Sequence, residues 1–385
     1  MSLVTTSKIV VEPVETWSQR RQFFNLPWTL YRDIPQWTPP LRANQKELLG
    51  FKKHPFYLRN KIRNFLATRA GVPVGRISAI VNYDHIERYQ EQLGFFGFFE
   101  SIDDTAVAAA LFDAAKAWHA EQGLPVMRGP LNPSLNYEAG LLIDGFDTPS
   151  FFMMTYNAPY YARLFDDYGF RKAHDLFAYW GHTGMLEKLD KKLHFITQES
   201  QERFGIKVRS MDRGRFREEV DMYLDLYNRS LGGTWGFLPM SPEEVRHAGA
   251  GLKQLIEPSL TCVAEVEGKV VGGVFCLLDY NPRIKAIDGR LFPFGFIRLL
   301  TRRRRIKRIR LIATTVVPEY QKWGVGLVLL GALLPKSLAW GVEEAEFSWV
   351  LESNDLSRKS LEKGGATRTK TFRIYDSGPT KTGVP

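Results

Sequence analysis

The feature that most constrains this chain is an order of hydrophobic periodicities that occurs twice. An alternating run at Lys8–Val14 gives way to two helical stretches, three β-rich runs, a long helix, a strand, a short helix and a last strand. The same order restarts at Ile206–Met211. Apolar residues two apart put one face of a strand on a core, and spacings of three and four do so for a helix. Each half therefore predicts β–α–α–β–β–β–α–β–α–β, a mixed α/β (α+β) layer in which helices flank a largely antiparallel sheet. The repeat is one of element order, not of residue identity. With 385 residues the chain exceeds one ordinary domain. The expected division is 1–180, a polar connector with some helical pattern over 181–204, and 205–385.

Punctuation places the elements. In the first half, helices are expected over Thr16–Asn25 and Leu41–Leu49, and a hairpin joins Asn64–Arg69 to Val72–Asn82 around Ala70-Gly71. Gly94–Glu100 is a buried strand, and Ser101–Asp104 cap a helix that stops at Gly123. The Gly/Pro/Asn-rich stretch 128–148 is a long connection, followed by a helix Pro159–Tyr168 and a strand Arg171–Trp180. In the second half, Ser241-Pro242 opens a helix, Leu260–Glu267 and Val270–Asp279 form a hairpin, and Ile306–Val317 is a long strand. A helix Gly326–Trp340, a strand Ala345–Leu351, a helix Asn354–Lys363 and a strand Thr367–Tyr375 complete it.

Composition narrows the partners. A net charge of +10 calls for an anionic partner: nucleic acid, a phospholipid surface or a polyphosphate co-substrate. The two cysteines, Cys262 and Cys276, lie in apolar runs, which fits buried thiols in a reducing compartment. The seven histidines show no metal spacing, so no metal is expected. The longest apolar run, Val325–Leu334, falls short of the roughly 20 residues that cross a bilayer. A cytoplasmic protein is expected, free or peripheral on the inner membrane face.

The strongest local signal is Val316-Val317-Pro318-Glu319-Tyr320-Gln321-Lys322-Trp323-Gly324-Val325-Gly326. A strand ends, two glycines follow, and a helix opens. The first-turn amides and the helix dipole favour an anion there, and glycine lets phosphate oxygens approach the backbone. Gln321-x-x-Gly324-x-Gly326 resembles the pyrophosphate loop of the GNAT superfamily of acyl-CoA-dependent N-acyltransferases. Downstream, Glu352-Ser353-Asn354, a short helix and Gly364-Gly365 are similar to the family's second motif. The resemblance covers about 170 residues of the second half and implies two GNAT-like domains.

The resemblance also implies a mechanism. Acetyl-CoA or a longer acyl-CoA lies where two neighbouring strands splay. Val316 and Val317 pair with the pantetheine arm. The amides of Lys322, Trp323, Gly324, Val325, Gly326 and Leu327 hold the pyrophosphate, with Gln321 and Asn354 nearby. An amine substrate attacks directly, and the Val316 N–H stabilises the oxyanion. The family's usual Tyr acid aligns with Leu361, so Tyr375 or Tyr320 is the expected substitute. Glu352, at the strand end, is the expected base.

The first half resembles a degenerate copy. Asn157 through Gly169-Phe170 is similar to the second motif, but Glu100-Ser101-Ile102-Asp103-Asp104-Thr105 has no glycine and carries negative charge where phosphate would sit. An acceptor-site or interface role is expected for it. Leu291–Arg310 joins aromatic residues to an arginine run, a pattern that suits an anionic membrane more than RNA. The aromatic content and the Phe-rich segment tilt toward a long acyl chain or a lipid-like amine, and bacterial ceramide synthases, which acylate a sphingoid amine, resemble such sequences. An aminoacyl-tRNA-dependent peptidyltransferase and a non-catalytic acyl-CoA-binding module are the alternatives.

Overall fold

The computed structural model describes residues 7–184 and 190–378. The chain divides into two compact units, one of Met1–Leu176, Arg283–Gly295 and Lys370–Pro385, the other of Phe177–Pro282 and Phe296–Thr369.

The first unit opens with β1 (Ile9–Pro13), α1 (Trp17–Leu30) and α2 (Arg42–Leu48). Thr16 and Gln19 form a reciprocal cap that starts α1. The helix runs five residues past the expected Asn25, through Pro27. Proline cannot donate to the carbonyl four residues back, and the buried Arg76 supplies that bond instead, donating to Phe23 O at 2.8 Å. Next come β2 (Lys61–Arg69), β3 (Val72–Val81), α3 (Tyr83–Tyr89), β4 (Leu93–Ser101), α4 (Thr105–Glu121) and β5 (Val126–Gly129). The short helix α3 was not expected from the sequence. Three short strands follow, β6 (Leu131–Asn132), β7 (Glu138–Ala139) and β8 (Leu141–Asp144), then α5 (Tyr161–Tyr168) and β9 (Arg171–His182).

The four phenylalanines of β4 do not simply alternate. A register shift against β3 and a positive φ at Phe98 bulge the strand. Phe96 and Phe99 therefore both enter the core, where Phe99 stacks on Phe112 at 4.8 Å.

The second unit contains α6 (Asp190–Phe204), β10 (Lys207–Ser210), α7 (Phe216–Ser230), α8 (Pro242–Leu252), β11 (Thr261–Val266) and β12 (Lys269–Leu278). The short helices α9 (Asn281–Ala286) and α10 (Gly295–Leu300) lie where the chain leaves and re-enters this unit. It ends with β13 (Arg308–Val316), α11 (Val325–Trp340), β14 (Glu344–Leu351), α12 (Asp355–Lys363) and the start of β15 (Thr367–Asp376). Two adjacent glycines of β12 show how its faces are covered. A Cβ at Gly272 would lie 2.9 Å from Val325 of α11, and one at Gly273 would lie 2.9 Å from Tyr223 of α7. The two helices pack on opposite faces.

The sheet of the first unit runs β1-β2-β3-β4-β5-β15, and that of the second β9-β14-β13-β12-β11-β10. Each sheet is completed by a strand that the sequence division assigns to the other half. This differs from the expected boundaries at 180 and 205, because a strand is placed by its hydrogen-bond partners and not by its sequence neighbours. The expected connector 181–204 differs as well. Its residues 190–204 form α6, which packs on α11 within the second unit, while 185–189 lie outside the described residues.

His119 of α4 is fully buried. One ring nitrogen bonds Phe95 O at 2.9 Å and the other has no partner among the described residues. Burial pulls its pKa down to about 4. A base depressed on folding binds its proton more readily in the unfolded chain, so its contribution is complete above the free value near 6.5 and is lost as pH falls toward 4. His119→Gln should flatten the fall in unfolding free energy between pH 6.5 and 4 by about 3 kcal/mol, measured by denaturant titration at each pH. An unchanged slope would contradict this reading.

Candidate functional site

β13 and β14 run side by side in parallel only from Arg308↔Glu344 to Leu311↔Phe347. β13 continues to Val316 and β14 to Leu351, and no further pairing between them occurs. A bulge just past Leu311, seen as a register shift against Phe275 and Cys276 of β12, turns β13 away. Val317 N–H donates to Val271 O at 3.0 Å, toward β12. Backbone groups alternate sides along a strand, so the N–H and C=O of Val316 face the side that β14 has left. The exposed Gln321 donates to Val316 O at 3.2 Å.

After Val317 the chain makes a tight turn of helix over Pro318–Trp323 and reaches Gly324 at φ +74°. Only glycine adopts that conformation without strain. Gly324 is also the N-cap of α11, and no side chain among the described residues caps that helix. Its carbonyl receives the N–H groups of Leu327 and Val328 at 3.0 and 3.1 Å. Gly326 differs from Gly324. Among the described residues, a Cβ built there would meet only the Thr314 methyl, at 4.0 Å. The packing around Gly326 does not demand a glycine, and the missing side chain leaves room for an anion to approach the backbone. This helix start therefore suits a diphosphate.

The neighbours hold the loop in place. Trp323 stacks on Phe204 of α6 at 4.7 Å, and Tyr320 meets Trp323 edge-on at the same distance. Val325 is fully buried against β12, Lys322 is exposed, and Leu327 is partly exposed. The structure thus brings together Val316, Val317 and Gln321 through Leu327. The contribution of α6 was missed because a polar helix covering an apolar neighbour shows only a weak period.

The other expected residues are placed as follows. Glu352 is half-buried in the turn after β14. Asn354 is exposed and caps α12, accepting from Ser357 N at 3.1 Å. Leu361 packs with Phe177, Tyr179 and Val350. Tyr375 requires a correction: it is a core residue of the first unit, packed on Phe165, and burial raises its pKa to about 12. Its burial is at odds with an acid role in the second unit's site. Tyr320, the other expected substitute, stays beside the loop.

The corresponding parting in the first unit is closed by the chain itself. β4 and β5 pair in parallel only from Leu93↔Val126 to Phe95↔Arg128. Beyond them Asn132 Oδ1 accepts from Phe98 N at 2.6 Å, and a Cβ at Gly97 would sit 1.9 Å from Leu131 O. The stretch 128–148 is thus, in part, a plug. The helix start is equally occupied. Asp104 accepts from Ala106 and Val107 N–H, while Tyr161 Oη accepts from Ser101 N at 2.9 Å and donates to Glu100 at 2.8 Å. Burial raises the Glu100 pKa, against the pull of Arg76. Asn157 bonds both backbone groups of Leu142.

Much of the arginine run is committed within the chain. Arg303 binds Glu257, Arg304 lies over Trp340, Arg308 pairs with Asp279, and Arg310 is buried. Phe292 is 79% exposed and Phe294 72%, in contrast with the buried phenylalanines of β4. Among the described residues there is no cluster of metal-ligating side chains, and no helix is long and apolar enough to cross a membrane.

No protein-family model matches the chain. It is 34% identical to Protein YghO of Escherichia coli (strain K12), over 92% of each chain. It is 33% identical to the bacterial ceramide synthase of Caulobacter vibrioides, over 97% of this chain and 98% of that one. The chain belongs to the bacterial ceramide synthase family. Among solved structures, this chain is similar to a tandem GNAT protein from the clavulanic acid biosynthesis pathway. The TM-score is 0.56 at 12% identity, covering 97% of this chain and 100% of that one. A GCN5-related N-acetyltransferase from Sphaerobacter thermophilus gives 0.52 at 11% identity, over 96% and 95%. At such identities the likeness establishes the fold, a tandem GNAT. Fold and family together are those of acyl-transferring proteins.

The two loop glycines should respond differently to alanine. Gly324→Ala is expected to cost about 1–2 kcal/mol of stability, from its positive φ and from Ser200 Oγ 3.1 Å from the new Cβ. Gly326→Ala should be neutral within about 0.5 kcal/mol. Equal loss in both, by denaturant unfolding, would contradict the distinction.

Proposed function

We propose that the second unit is an acyl-CoA-dependent N-acyltransferase site. The observation that carries this reading is the uncapped, glycine-marked start of α11 beside the point where β13 and β14 part. The amides from Lys322 to Leu327 hold the diphosphate. The Val316 N–H, which faces the parted side, donates to the thioester carbonyl oxygen as negative charge develops on it. A substrate ammonium must lose a proton before it attacks. Glu352 accepts that proton, the nitrogen lone pair forms the C–N bond, and the C–S bond breaks. The departing thiolate takes up a proton, and the second amine proton is released. The products are an amide and free CoA. Tyr320, beside the loop, is the remaining tyrosine candidate for the acid role.

The acceptor we propose is a long-chain, sphingoid-like amine, in keeping with the name of the Caulobacter relative. Such a substrate resides in a bilayer, and the exposed Phe292 and Phe294 followed by arginines give the segment 291–310 the character of a contact with anionic lipid.

Two experiments test this reading. Free thiol is measured after adding acetyl-CoA or palmitoyl-CoA to a panel of amines that includes a sphingoid base. Thiol release is expected with the long-chain pair. Gly326→Glu should abolish it together with CoA binding, and Glu352→Gln should lower turnover about 100-fold while CoA still binds. CoA binding without thiol release from any amine would reduce the site to a binding module. In the second experiment, sedimentation with phosphatidylglycerol vesicles should recover the protein and phosphatidylcholine vesicles should not. Phe292→Ser with Phe294→Ser should cut recovery at least fivefold, and unaltered recovery would rule out this contact.

A further inference from the structure

A parallel ladder that stops inside a sheet leaves polar backbone groups without partners, and burying them unpaired is costly. Ser348 is the first residue of β14 past its last pair with β13, and it is 3% exposed. Its backbone carbonyl is not bonded by β13's next amide. Instead Arg310 Nη2 donates to Ser348 O at 3.1 Å, and Arg310 Nε donates to Ser348 Oγ at 2.8 Å. The Ser348 hydroxyl in turn donates to Glu346 Oε1 at 2.7 Å. Arg310 is 2% exposed and Glu346 1%, and they are register partners across the two strands. Arg310 also pairs with Leu277 of β12, which by alternation with Gly273 shares the face covered by α7. The guanidinium lies 5.2 Å from the Trp349 ring.

We propose that Arg310 is the positioning residue that keeps β13 and β14 apart, a side-chain wedge taking the place of the ladder's next rung. This rests on the acyl-CoA site proposed above. Main-chain continuation and a side-chain substitute compete for the same carbonyl. An apolar residue at 310 leaves Ser348 O to bond the amides of residues 312–313 of β13, which extends the ladder and narrows the gap. Glu346 and Ser348 fix the guanidinium's position and balance its charge. The first unit supplies the contrast: its own gap is filled by Leu131 and Asn132, and Arg128, in the last pair of its ladder, binds Asp376 and Glu91. The run Arg302–Arg310 therefore holds two kinds of arginine, and Arg310 belongs to the site's framework.

The test uses the full chain. Removing Arg310 alone strands a buried carboxylate, so the variant is the charge-balanced pair Arg310→Met with Glu346→Gln, and Arg310→Lys serves as a conservative partner. Free CoA is the probe, titrated by calorimetry, and amide hydrogen exchange is followed at residues 312–314. The double variant should keep a melting midpoint within a few degrees of the parent. Its Kd for CoA should rise at least tenfold, and exchange at 312–314 should slow. Arg310→Lys should fall between the two. Unchanged exchange at 312–314 in either variant overturns the wedge whether or not CoA binds. Failure of the parent protein itself to bind CoA overturns the proposed site instead.

Discussion

The structure of the second unit depends on what becomes of backbone hydrogen bonds where two parallel strands separate. Inside a sheet every N–H and C=O has a neighbour, and a strand that turns away must leave its polar groups to something else. Here the separation follows the pair Leu311↔Phe347. Val316 faces the opened side, and no side chain among the described residues caps the start of α11. The same backbone demand recurs in the first unit with a different answer. Asn132 and Leu131 fill the gap, Asp104 caps α4, and Tyr161 occupies the amide of Ser101. One architecture thus supports a closed version, satisfied by its own chain, and an open version able to take an extended anionic ligand.

Electrostatics separates the two versions as well. The first unit places carboxylates at its helix start, with Glu100 buried among Tyr31, Tyr161 and Arg76. A phosphate would meet repulsion there. The second unit offers a helix N-terminus that no side chain among the described residues caps, and an exposed Lys322 in the preceding turn. The net charge of +10 is compatible with an anionic partner, but the arginines divide between internal work and surface. Arg303, Arg308 and Arg310 bind groups of their own chain.

Legibility in the sequence followed how local each signal was. The Gly324 and Gly326 turn, the Ser241 and Asp104 caps and the paired hairpins depend on residues within a few positions, and the structure has them at those places. The twofold α/β layering could be read from element order because that order repeats, and its likeness to GNAT proteins came from the Gln321–Gly326 loop. Long-range pairing was not legible. An alternating strand such as β9 or β15 looks the same whichever sheet receives it, so the exchange of last strands left no trace. Tyr375 was misjudged for this reason: its neighbours are set by the sheet it joins. Arg310 was hidden inside a run of arginines, where nothing in composition distinguishes a buried guanidinium from solvated ones. α6 looked like a connector because its packing partner, α11, lies over a hundred residues away.

The central claim is that a diphosphate-bearing acyl donor sits at the start of α11, along the exposed side of β13. Amide hydrogen exchange of the whole protein, with and without saturating CoA, tests it most directly. Slowed exchange confined to residues 314–317 and 322–327 is the predicted result. Slowed exchange instead at residues 101–107 of the first unit, or no change at the α11 start, would contradict the account.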